Sequence, residues 1–223
     1  MGIPTNVSAD FVGHGRTAVE ASLGSTCVFL QGCAGNQGTG KWVSGTAWDD
    51  TVAMGGRFAR GVGEALQAAH PATDGALRVP RSWVPLELDP FPPLAELEAA
   101  FDRATQDTEF AGIVSIGDRL VLARRQSELS GAPIAALAIG PDLALVVLPG
   151  EVFLEHGLAV RAGSPFADTV VAAYNDNPLQ YIPTAAAFPD GEYEVDGGWR
   201  YIRAGQGERM ADEAVRLLAG LRT

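Results

Sequence analysis

Ala132-Pro-Ile-Ala-Ala-Leu-Ala-Ile-Gly-Pro-Asp-Leu-Ala-Leu-Val-Val-Leu-Pro-Gly150 is the longest apolar stretch of the chain. It is long enough to raise the question of a membrane span, but Gly140-Pro141-Asp142 sits at its centre. Pro and Asp in the middle of a spanning helix are costly, whereas Gly-Pro-Asp is turn chemistry. The stretch therefore predicts two strands, 134–139 and 143–148, joined by a tight turn. The second strand is apolar at nearly every position, the pattern of a strand covered on both faces. The chain reads as soluble, with no transmembrane segment. Its start, Met1-Gly-Ile-Pro-Thr-Asn6, lacks the basic and apolar regions of a signal peptide.

Working outward, 76–88 alternates well enough for a strand. Residues 94–104 and 120–129 have amphipathic helical spacing. Downstream, 151–162 reads as a helix, 169–174 as a strand and 208–221 as a closing amphipathic helix. Nearer the start, Ser8 is placed to cap a helix that runs to about residue 22 and stops at Gly24. Thr26-Cys-Val-Phe-Leu30 reads as a short buried strand, and 49–70 as another helix. Strands interleaved with helices predict an α/β fold, a mixed sheet with covering helices, in a single domain over 1–223.

Composition narrows the function. The chain has 223 residues, with 16 Lys+Arg against 27 Asp+Glu, a formal net charge of −11. Lys41 is the single lysine and the arginines are scattered, so no basic surface suits nucleic acid. Apolar residues make up 47%, which excludes disorder by composition. Two cysteines cannot build a disulfide framework or a cysteine-rich zinc module, and Cys27 reads as a small core residue. Three histidines, none near another, are too few for a self-sufficient metal site, and His14, His70 and His156 read as structural.

Three motifs could carry chemistry. Gly35-Asn-Gln-Gly-Thr-Gly-Lys41 has the spacing of a phosphate-binding loop, but Trp42 stands where such a loop needs Ser or Thr for magnesium. The alternatives are a plain strand-to-helix crossing or an active-site loop of another kind. Glu151, directly after the apolar strand, could ligate a metal or act as a base; equally, a glutamate in a first helical turn favours the macrodipole. Tyr174 to Thr184, continuing to Tyr193, reads as an ordered polar loop.

Together these stretches resemble the neutral/alkaline, non-lysosomal ceramidase-like family in its divergent bacterial branch. The resemblance rests on Ser8-Ala-Asp-Phe11, Val28-Phe-Leu-Gln-Gly-Cys-Ala-Gly-Asn36, Leu148-Pro-Gly-Glu151, the segment from Asn175 to Thr184, and Glu192-Tyr-Glu194, in that order. It covers most of the chain and only the second half of that family's catalytic domain. It therefore implies a carboxy-terminal portion of a larger domain. In the family a zinc-activated water hydrolyses the amide of an N-acylated sphingoid base, and members are often secreted. By resemblance Glu151 and Tyr181 are metal ligands, and Tyr193 assists at the reacting carbonyl. Asn36 and Gly38 belong to the catalytic loop, and Gly35 and Asn175 border the substrate.

Gly38 stands where the family has a serine; the resemblance implies zinc-water hydrolysis of an N-acyl, ceramide-like lipid amide. The family's two histidine ligands come from its first half, and no His-x-His occurs here. The chain is accordingly expected to be inactive on its own. The alternatives are a non-catalytic relative that binds a small polar or acylated ligand, and a degenerate phosphate loop. The sequence fixes neither oligomeric state nor compartment.

Overall fold

The structure is a computed structural model that describes residues 7–38, 47–70, 76–106, 110–126, 130–175, 179–196 and 198–222. They fall into two compact units: Met1–Leu30 with Gly38–Pro71, and Gln31–Gln37 with Ala72–Thr223.

The first unit is a helix pair, α1 (Asp10–Leu23) and α2 (Ala47–Gln67). Ser8 Oγ accepts the Asp10 N–H at 3.0 Å, and Gly24 ends the helix in the left-handed region. The two backbones meet at glycines, since a Cβ on Gly55 would lie 2.9 Å from the Gly15 nitrogen. His14 packs edge-on to Trp48, a structural role. The expected strand over 26–30 is extended chain without ladder pairing, and Val28 and Leu30 are exposed. The polar groups of Cys27 explain this. Its carbonyl accepts from Arg16 Nε and its N–H donates to Glu20 Oε1, both on α1. Cys27 is only half-buried; the core cysteine is Cys33, in the other unit.

The second unit is built on the predicted hairpin. β3 (Gly131–Ile139) and β4 (Leu143–Pro149) pair antiparallel, Ile139 opposite Leu143, with Gly140 at φ 62° opening the turn. The expected strand over 76–88 appears as β1 (Leu77–Arg78) and β2 (Arg81–Pro85), in one continuous register against β3. Pro80 has no N–H to donate and interrupts it. β6 (Asp168–Asn175) joins parallel to β4, which makes the sheet mixed.

Between β4 and β6 the chain forms the short β5 (Glu151–Val152) and α5 (Leu154–Gly163). Later come β7 (Tyr181–Ile182), which pairs parallel with β5, the short helix α6 (Tyr193–Asp196) and the final helix α7 (Gln206–Gly220). α3 (Leu94–Ala104) matches its predicted span. α4 (Phe110–Arg124) starts well before the expected 120, its early turns obscured in sequence by Gly112 and Gly117.

The core lies where α5 and α7 cover one face of the sheet, around Ile134, Val146, Leu148, Val160, Met210 and Leu218. β4 is buried at Ala144, Val146 and Leu148, whereas Leu143, Leu145 and Val147 are only half-buried. The double cover suggested by the sequence is therefore complete on one face alone. None of the helices among the described residues is long and apolar enough to cross a membrane.

Candidate active site

Glu151 is a strand residue, not a first-turn helix residue. It follows Gly150, whose φ of 80° turns the chain sharply out of β4. Its N–H donates to the Gln180 carbonyl at 2.7 Å. The helix starts three residues later, so the macrodipole account of this carboxylate lapses.

In the parallel β5–β7 pair Glu151 stands opposite Tyr181. Register partners project to the same face of a sheet, so carboxylate and phenol share one side. Tyr193, at the start of α6, meets the Tyr181 ring edge-on with centroids 6.1 Å apart. The carboxylate and both tyrosines singled out in the sequence thus converge.

A further tyrosine, given no role by the sequence, joins them. The β4–β6 register shifts between Val147 and Pro149, and Tyr174 takes a φ of 65° with its N–H on the Gly150 carbonyl. Such a bulge re-aims a side chain, and the Tyr174 hydroxyl bonds the Glu151 carboxyl. Gln180, next to Tyr181, is also held at positive φ, 56°. Left-handed backbone at two non-glycine residues is costly and clusters at functional sites. The available signal was positional, since Tyr174 ends a strand parallel to the one that delivers Glu151. Asn175, its neighbour, pairs with Pro149 at the same strand ends.

The glycine loop secures β5 from the other side. The Gly35 N–H donates to the Val152 carbonyl at 2.9 Å, and its Cα faces the Glu151 carbonyl so closely that a Cβ would sit 2.2 Å from that oxygen. Asn36 Oδ1 accepts the Leu154 N–H at 2.9 Å and its Nδ2 donates to Glu155 at 2.8 Å. It therefore caps α5 from a distant part of the chain, a positioning task. Asn36→Ala is expected to cost about 1–2 kcal/mol, read by denaturant unfolding, as for other lost N-caps. Gly38 is exposed, at the end of the described part of the loop. Thr39, Gly40, Lys41 and Trp42, on which the phosphate-loop reading turns, lie outside the described residues.

Burial dominates the electrostatics. It raises the Glu151 pKa above the usual 4.5, opposed by the Tyr174 hydrogen bond. Tyr181 is pushed up to about 12, by burial first and then by the Glu151 charge, so it remains a neutral phenol near pH 7. A carboxyl whose folded pKa is raised stabilises the fold below its unfolded pKa, and that contribution is lost as pH rises through the folded value. Glu151→Gln should therefore match the wild-type melting temperature below about pH 4 and exceed it at pH 7. Equal melting temperatures across that range would contradict the burial argument.

Across the fold direction, the chain superimposes on neutral ceramidase from Pseudomonas aeruginosa with a TM-score of 0.69 over 98% of its length, at 20% identity. A ceramidase complexed with C2 matches with a TM-score of 0.70, also over 98% of this chain and at 20% identity.

The fold is ceramidase-like.

The chain spans 41% and 43% of the length of those two ceramidase chains. No family model matches the sequence, and no curated protein sequence matches it. The ceramidase-like fold directs attention to zinc, and the donor set tests that idea. Catalytic zinc sites take three protein ligands plus water. Glu151 and Tyr181 supply two oxygens. Among the described residues no group of three His, Cys, Asp or Glu could hold a metal ion. His156 is near in sequence but buried, with Nε2 bonded to the Pro183 carbonyl at 3.2 Å. Cys33 is a core thiol beneath Gly157, its pKa pushed up to about 11 by burial, which disfavours the thiolate a metal requires. Among the described residues, Glu151 and Tyr181 are the candidate oxygen donors, and no third His, Cys, Asp or Glu joins them to complete a metal site.

Proposed function

We propose that this chain provides the carboxylate-and-tyrosine side of the catalytic centre of a ceramidase-like hydrolase acting on an N-acyl or lipid amide, within one catalytic domain. The observation that carries the reading is the pairing of Glu151 with Tyr181 on β5 and β7, with Tyr193 against the Tyr181 ring. A zinc ion completed by further ligands would supply an activated water and polarise the acyl carbonyl. Within this chain, Glu151 and Tyr181 offer oxygen donors, and Tyr174 orients the carboxyl through its hydrogen bond. Tyr193, 59% exposed, is free to present its hydroxyl to a substrate carbonyl.

With two oxygen donors the chain should bind zinc far more weakly than the ~10–16 kcal/mol of four-ligand structural sites. Zinc titration against a chromophoric indicator is expected to show one weak site, lost in Glu151→Gln and weakened in Tyr181→Phe. Identical zinc uptake by wild type and Glu151→Gln would remove the ligand assignment. The chain alone should not hydrolyse a fluorogenic N-acyl amide. Chelator-sensitive turnover by it would show that the centre is complete without further ligands.

A further inference from the structure

We infer that His156 is a positioning residue for Tyr181, an assignment that takes its functional weight from the catalytic reading proposed above. Its imidazole holds the chain just beyond β7 and thereby fixes the phenol opposite Glu151.

Tyr181 needs such a brace because its own strand is minimal. β5 and β7 share two register pairs, Glu151 with Tyr181 and Val152 with Ile182. They form a two-stranded sheet apart from the main one, and such a ribbon is marginally stable by itself. The backbone before Tyr181 is strained, with Gln180 at a φ of 56°. On that near side the Tyr181 N–H donates to the Trp199 carbonyl at 3.2 Å. On the far side Pro183 stops the ladder, since proline has no N–H to extend it. The end of β7 must be held by something other than strand pairing.

His156 holds it. Nε2 lies 3.2 Å from the Pro183 carbonyl oxygen, and the residue is 3% exposed. A carbonyl can only accept, so Nε2 carries the ring proton and donates it. Two helices seat the ring. α5 carries it, and Asn36 anchors the start of α5 through the Leu154 N–H. α7 backs it at Gly207, where an added Cβ would lie 2.3 Å from Nε2 and 2.7 Å from Cε1. Two further bonds converge on the same segment. The Phe153 N–H donates to the Ile182 carbonyl at 3.1 Å, and Glu208 Oε1 accepts the Ala185 N–H at 2.7 Å. The helix that follows Glu151 thus grips the chain that follows Tyr181, and both oxygen donors share one frame. Leucine at 156 would occupy space there but could not donate to Pro183.

The test reads Tyr181 directly, by fluorine NMR of the full chain labelled with 3-fluorotyrosine. The four tyrosines are assigned by Tyr→Phe substitution, and buried Tyr201 reports whether the fold survives. His156→Leu is expected to move the Tyr181 signal while Tyr201 keeps its place. His156→Gln, whose Nε2 can donate in the same direction, should restore the wild-type Tyr181 signal. Gly207→Ala should reproduce the leucine effect with the histidine present, because the new methyl displaces the ring. Zinc affinity should fall about tenfold in His156→Leu and Gly207→Ala and stay near wild type in His156→Gln. Identical Tyr181 signals in wild type and all three folded variants would overturn the assignment. So would a nitrogen-15 spectrum of wild type in which the His156 ring carries its proton on Nδ1 alone, a result that requires no variant to fold. A Tyr181 signal that follows His156 in a chain that takes up no zinc would support the positioning role and remove the catalytic reading.

Discussion

Gly35→Ala should lower stability by about 2–4 kcal/mol, the upper range for overpacking against rigid backbone. The added methyl would lie 2.2 Å from the Glu151 carbonyl oxygen and 3.1 Å from Phe153 Cδ1. Relief cannot come from a rotamer change, because the obstacle is the β5 main chain. Either Gln31–Gln37 lifts away, which breaks the Gly35–Val152 hydrogen bond and the Asn36 cap on α5, or β5 shifts and carries Glu151 with it. A denaturation midpoint and the zinc titration report the two routes. Gly32→Ala is the matched control, since its nearest new contact is ordinary, 3.6 Å from the Val171 carbonyl. If both variants unfold at the wild-type midpoint, the loop does not brace β5.

Leu148→Ala is the second large effect, with an expected loss of about 2–5 kcal/mol. Leu148 is wholly buried at the end of β4, in the same core as Ile134, Val160, Met210 and Leu218. Truncation leaves a cavity that a sheet pinned by ladders on both sides of β4 cannot collapse to fill. Leu148→Met, close in volume, should cost less than about 1.5 kcal/mol. Because Pro149 and Gly150 intervene before Glu151, the prediction is one of stability with weak zinc uptake retained at low temperature. A loss below about 1 kcal/mol would mean that this end of the core is looser than its burial indicates.

Much of this fold could be read locally. The Gly140-Pro141-Asp142 turn announced a hairpin because proline and glycine punctuate a chain whatever surrounds them, and the structure has that hairpin in a mixed α/β sheet. α3 followed its own amphipathic spacing. The order of the short motifs pointed to the ceramidase-like fold that the superposition bears out.

Other features depend on partners distant in sequence. Cys27 looked like part of a strand, but Arg16 and Glu20 take up its backbone, which no local window displays. Glu151 looked like a helix opener until Gln180 and Tyr181 drew it into a parallel pair, and such pairs join residues that sequence spacing keeps apart. Tyr174 gained its place beside the carboxyl from a register shift between β4 and β6, which depends on how two strands seat against each other. Sequence alone determined the hairpin and α3, because residue type and short-range periodicity carry that information, and the resemblance of its short motifs named Glu151, Tyr181 and Tyr193. Tertiary structure decided that these side chains meet and that Asn36 caps a helix, because each depends on long-range backbone pairing.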